Sequence, residues 1–162
     1  LIDWDSPFYT TDCATEEEKK RKIQEALQAL DQTDSKSHTS KRRIEQQLLR
    51  EFHMGKTETT CSLCHNTLPN SLMVAGHIWE RHKIKDDETR KDPDVVMPVC
   101  KLGCDELFEK GFIVVDEDGS IVSDKKHIDT EPLVEFAQRY EGKKCLHFNE
   151  KTKRFFNQRY GR

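Results

Sequence analysis

Two cysteine pairs constrain this chain more than any other feature in it. Cys61 and Cys64 stand two residues apart in C-x2-C spacing, and Cys100 and Cys104 follow as C-x3-C, slightly wider than the commonest arrangement. Each short knuckle presents two sulfurs, and one connecting loop can bring the knuckles together. Four thiolates gathered this way are what a closed, tetrahedral Zn²⁺ site requires. The spacing therefore predicts a structural zinc on Cys61, Cys64, Cys100 and Cys104. Disulfides in an oxidising compartment are the other use for six cysteines, but paired knuckles favour zinc in a reducing one, so a cytoplasmic location is expected. Cys13 and Cys145 are then left as ordinary thiols. The run Cys61-Ser62-Leu63-Cys64-His65 also spells the attachment signature of c-type haem. That reading needs export and an axial ligand such as Met73 or Met97, and it gives Cys100 and Cys104 nothing to do.

A staple would suit the composition. Of 162 residues 34% are hydrophobic and 35% charged, so the core is modest for the length and a bound metal would compensate. A formal net charge of −3 gives no global attraction for nucleic acid, and any such surface must be a local basic patch. No apolar run approaches membrane-spanning length and no signal-peptide pattern is visible, so no membrane contact is expected. The chain begins at Leu1 rather than Met, as a fragment or a processed product would.

In chain order, Trp4, Phe8 and Tyr9 lie in an irregular arm expected to dock on the main body. Thr15 with Glu18 is a capping-box start, and Ile23, Ala26, Leu27 and Leu30 form one apolar stripe, predicting a helix over 15–31 supported by Glu16/Lys20, Glu17/Arg21 and Glu18/Lys22 pairs. After a polar connection at 31–40, a second helix over 40–54 turns Ile44, Leu48, Leu49 and Phe52 inward and stops at Gly55. The two form a helical hairpin, either as a buttress or with Lys41, Arg42, Arg43 and Arg50 on a phosphate backbone. Beyond the cysteines, residues 112–122 spell a β-hairpin around Asp118-Gly119, and a helix is expected over 131–140. The tail interleaves Lys151, Lys153, Arg154, Arg159 and Arg162 with Phe155, Phe156 and Tyr160, as core aromatics or as a backbone-contacting helix.

The ordered set AGHI at 75–78, DPDVVMPVC at 92–100 and CDELFEKGFI at 104–113, followed by the hairpin, resembles an HNH (ββα-metal) endonuclease. The similarity is to the Ala-His-Ile branch common among restriction-type DNA-cleaving proteins, and it covers 61 to about 123. The fold class it implies is α+β: a zinc-stapled ββα module with an N-terminal helical hairpin and a C-terminal hairpin plus helices. Domain bounds would be 1–55 for the arm and hairpin, 56–125 for the nuclease module and 126–162 for the helical extension. Residues 72–78 and 95–99 would be the two strands, and 105–110 the helix crossing both.

The resemblance also implies chemistry. Phosphodiester hydrolysis needs an in-line water, a base to deprotonate it and a cation at the leaving 3′-oxygen. His77 is the candidate base, its near-neutral pKa suiting the task. Asp105 and Glu109, four apart on a helix, share a face that can hold a divalent ion, and hard oxygen ligands favour Mg²⁺ or Mn²⁺. Asp92 or Asp94 occupies the region of the family's middle Asn, where a carboxylate could accept the same loop-fixing hydrogen bonds. Arg81, His82, Lys83 and Arg90 in the loop, with Lys153 and Arg154 in the tail, are the candidate DNA contacts, although Asp86, Asp87 and Glu88 interrupt the loop and a solvated loop explains it equally well. The expected partner is double-stranded DNA, with homodimerisation as one route to cutting both strands.

Three departures from the family pattern stand beside this. Gly76 occupies the place where many relatives carry a metal-binding Asp or His, the helix bears acids where the family often has His, and the middle Asn is absent. A catalytically inactive, zinc-stabilised DNA- or protein-binding module is the alternative they suggest, and RNA the alternative substrate. Without the surrounding pattern, His77 would read as a core residue, and Asp105 and Glu109 as charges favoured at a helix start.

Overall fold

A computed structural model describes residues 15–30, 38–124 and 130–161. The arm carrying Trp4, Phe8, Tyr9 and Cys13, and most of the polar connection at 31–37, lie outside the described residues. The chain divides into two compact units, one ending at Phe52 and one beginning at His53.

In the first unit, α1 (Glu16–Ala29) begins where the Thr15 hydroxyl accepts the amide of Glu18 at 3.1 Å, and three glutamates occupy its first turn, where the helix dipole favours negative charge. Ile23, Leu27 and Leu30 are buried along one stripe. Lys22 pairs with Glu18 as the spacing suggested, whereas Arg21 reaches forward to Glu25 at 2.9 Å and Lys19 to Glu16. Lys20 lies 5.5 Å over the ring of Phe52, in α2 (His38–His53). In α2, Leu48 and Leu49 are buried, while Ile44 and Phe52 are half-buried.

Among the described residues, the second unit is built from three two-stranded antiparallel sheets and four α-helices. β1 (Glu58–Thr60) and β2 (Thr67–Pro69) flank the first knuckle, and were not legible in a sequence that alternates too briefly there to signal strands. His65 turns the knuckle with φ 68°, a left-handed conformation. β3 (Met73–His77) pairs with β4 (Val96–Cys100) in a register that sets Met73 against Cys100 and His77 against Val96. His77 and the cysteines therefore lie at opposite ends of one ladder.

Every residue of β4 is buried, and Pro98, which has no amide to give, offers its carbonyl to the amide of Ser62 at 2.9 Å, docking the knuckle against the strand. After the short α3 (Asp87–Arg90) in the intervening loop, α4 (Cys104–Glu109) packs against both β3 and β4. β5 (Ile113–Val115) and β6 (Ile121–Ser123) form the expected hairpin, turned at Gly119 with φ 83°. Then come α5 (Glu131–Gln138) and α6 (Lys153–Tyr160), whose Phe155 and Phe156 are buried core residues. The observed class is thus α+β with small sheets. No described helix is long and apolar enough to cross a membrane.

Candidate metal centre and the adjoining strand–helix site

The four cysteine sulfurs lie within 4.8 Å of one another, with Cys64 Sγ and Cys100 Sγ 3.9 Å apart. A tetrahedral ion with metal–sulfur bonds near 2.3 Å sets its sulfurs about 3.8 Å apart, so the cluster can hold a metal and is compatible with structural zinc. The described cysteines are all free of disulfides. The cluster draws Cys100 and Cys104 into the same site as Cys61 and Cys64, a role that a haem attachment could not give them.

Backbone groups fix the knuckle. The Cys61 amide donates to Asn66 O at 2.9 Å and the His65 amide to Cys61 O at 3.0 Å. The 143–146 segment closes over it: the Leu146 amide donates to Ser62 O at 2.9 Å, and His65 Nε2 lies 2.7 Å from Lys144 O. A hydrogen bond with Cys104, aided by the amides of Cys64, Leu63 and Cys100, outweighs burial and holds the Cys61 thiol far below its usual range, at about 5. Cys104 is pushed up correspondingly, by its interaction with Cys61 and by burial. The Cys64 thiol is raised as well, by burial first, so without a cation the crowded sulfurs favour a single thiolate, and a bound cation would offset the repulsion that opposes the others. Tyr140, buried and 3.3 Å from Cys104 Sγ through its hydroxyl, is a neighbour the sequence did not single out. Cys145 is buried beside Met97, and burial raises its thiol to about 12.

At the far end of the ladder, His77 is half-buried with its Nε2 enclosed. A Cβ on the preceding Gly76 would meet Val99 Cγ2 at 2.8 Å and Asp105 Oδ1 at 3.5 Å. The Asp105 carboxylate thus lies directly over the residue before His77. Burial, and then the charges of Glu109 and Glu106, raise the Asp105 carboxyl above its ordinary range against the opposing charge of Lys101. Glu109 is exposed.

The remaining candidates divide. Asp92 Oδ1 accepts the amide of Asp94 at 2.9 Å, capping the turn before β4, while its Oδ2 pairs with Arg154. Asp94 therefore enters through its backbone, and Arg154 of α6 meets Asp92 from 62 residues away. Arg90 grips its own loop, donating through Nε and Nη2 to Ile84 O at 3.0 and 2.7 Å and through Nη1 to Asp87. Arg81, His82 and Lys83 form a single helical turn after β3, with His82 exposed and Lys83 paired to Glu80 at 3.0 Å. Lys153 is exposed on α6. Arg159 was read in the sequence only as one cation of the basic tail, because guanidinium contacts to distant carbonyls leave no local signature.

No protein-family model matches the chain, and a search of curated proteins finds no match.

Proposed function

We propose that the chain is a metal-dependent DNA endonuclease of HNH type, with the four thiolates holding a structural zinc. The observation that carries this reading is the placing of a carboxylate-bearing helix across an antiparallel pair, so that Asp105 stands over the residue next to His77. In this reading His77 takes a proton from an in-line water, whose oxygen forms the new P–O bond as the bond to the 3′-oxygen breaks. The products carry a 5′-phosphate and a 3′-hydroxyl. Asp105 and Glu109 would hold the divalent ion, Mg²⁺ or Mn²⁺, which neutralises charge on the leaving oxygen. The Asp105 carboxyl, raised by burial and then by the neighbouring carboxylates, is one that gains from a nearby cation. Asp92, capping the turn that leads into the strand opposite His77, orients the base through the backbone.

The reading is tested on supercoiled plasmid with Mg²⁺ or Mn²⁺. Wild type nicks, and His77→Ala lowers the rate roughly 100-fold or more, the range a general base contributes. Equal cutting by His77→Ala and wild type removes the mechanism.

A second reading, a zinc-stabilised binding module without catalysis, is favoured by the tight packing at Gly76, which leaves no space for the metal-binding side chain many relatives carry there. DNA binding without cleavage under any divalent ion selects it, and competition between DNA and RNA identifies the nucleic acid.

A further inference from the structure

Arg159, near the end of α6, is wedged where β3 and α4 both finish. Its Nη2 donates to the carbonyl of Phe108 at 2.7 Å and, more distantly, to that of Glu109 at 3.3 Å. Its Nη1 donates to Ile78 O at 3.2 Å, with His77 O at 3.5 Å. The guanidinium also stacks 4.2 Å over the ring of Phe108. The Phe108 carbonyl already accepts the Gly111 amide at 3.1 Å, but carbonyls at a helix C-terminus are short of intrahelical donors, so a planar cation with several donors suits this place. Glu80 follows the strand end, and although burial opposes it, the Lys83 hydrogen bond and the charge of Arg159 keep its carboxyl below the ordinary range.

We infer that Arg159 is a positioning residue: it ties the strand end bearing His77 to the helix end bearing Glu109. The sulfur cluster cannot do this, because it lies at the other end of the β3–β4 ladder, holding β4 through Cys100 and the start of α4 through Cys104. Between them, two fasteners hold the strand pair and the helix at opposite ends, and α6 becomes part of the site rather than an appendage. A lysine in place of Arg159 could reach one set of carbonyls but not both, since only the planar fork presents donors in two directions.

The catalytic consequence rests on the nuclease reading, so the experiment carries a readout that does not. Zinc-loaded wild type, Arg159→Met and Arg159→Lys are compared in three measurements: plasmid nicking with Mn²⁺, the NMR resonance and titration of the His77 ring proton, and amide exchange at 108–110. Metal content and melting temperature establish that each variant is folded. Arg159→Met keeps the stem and is expected to lower kcat roughly 10- to 100-fold, as a misplaced group near the chemistry does, with KM for DNA little changed. It also shifts the His77 resonance and speeds exchange at 108–110, and Arg159→Lys recovers part of each effect. A nicking wild type matched in kcat by Arg159→Met overturns the positioning role and leaves the nuclease reading standing. If wild type does not nick, the nuclease reading falls, and resonance and exchange decide alone. Movement of both in Arg159→Met then upholds the clamp, and no movement overturns it.

Discussion

At Gly76 the reason for the residue is space. Any side chain there would begin 2.8 Å from a Val99 methyl, in a strand pair whose other members are already packed. Valine has no flexible end to swing aside, so the backbone or the strand opposite must shift. Gly76→Ala is expected to destabilise the protein by about 1–3 kcal/mol, the usual cost of overpacking. Combining it with Val99→Ala should cost less than the sum of the two singles, by roughly 0.5 kcal/mol or more, because the second change removes what the first strikes. Urea midpoints of the four proteins check this, and strict additivity would mean that the contact is not the cause. Seen as sequence, Gly76 was a departure from a family pattern. Seen in place, it spares Val99 a clash in the strand pair beside His77.

The elements of the second unit are joined by polar and aromatic contacts between segments far apart in sequence. His53 places its ring edge-on to His147 at 4.8 Å and its Nε2 2.7 Å from the carbonyl of Pro93, so one imidazole pair links 53, the turn before β4 and the loop before α6. The Nε2 of His147 is buried with no hydrogen-bond partner among the described residues. Burial, then the charge of His53, lowers the His147 ring to about 4, against the opposing effect of its bond to the Val96 backbone. Its ordinary value is 6.5, so as pH falls from there the unfolded chain takes up the proton first and stability declines until about pH 4. At about 1.4 kcal/mol per unit the loss reaches roughly 3 kcal/mol. His147→Phe, which cannot be protonated, should flatten this part of the stability–pH curve. Denaturation at constant metal loading between pH 6.5 and 4 measures it, and an unchanged slope in the variant would place the acid sensitivity elsewhere.

Across the whole molecule, the sulfur cluster gathers a knuckle between β1 and β2, the end of β4 and the start of α4 at one point. Stripping the metal with a strong chelator, or replacing Cys100 with Ser, is expected to cost the second unit on the order of several kcal/mol. Amide protection in β3, β4 and α4 should collapse together, with elemental analysis giving a single ion per chain beforehand. Protection that survives in a metal-free sample would mean that the apolar core suffices. How far all this was readable beforehand varied with range. Both long helices, the hairpin, α5 and the four-cysteine set followed from periodicity, turn residues and spacing, which are properties of neighbours along the chain, whereas the β3–β4 pair was expected only from the family resemblance. The sequence by itself also limited where a basic surface could be, since its charges nearly cancel. Other features depended on segments dozens of residues apart meeting in space: Arg154 against Asp92, Arg159 on two carbonyl-bearing ends, and the histidine pair. A guanidinium, an imidazole or a backbone carbonyl carries no mark of its distant partner, so only the folded chain could decide which of these charges face solvent and which hold the molecule together.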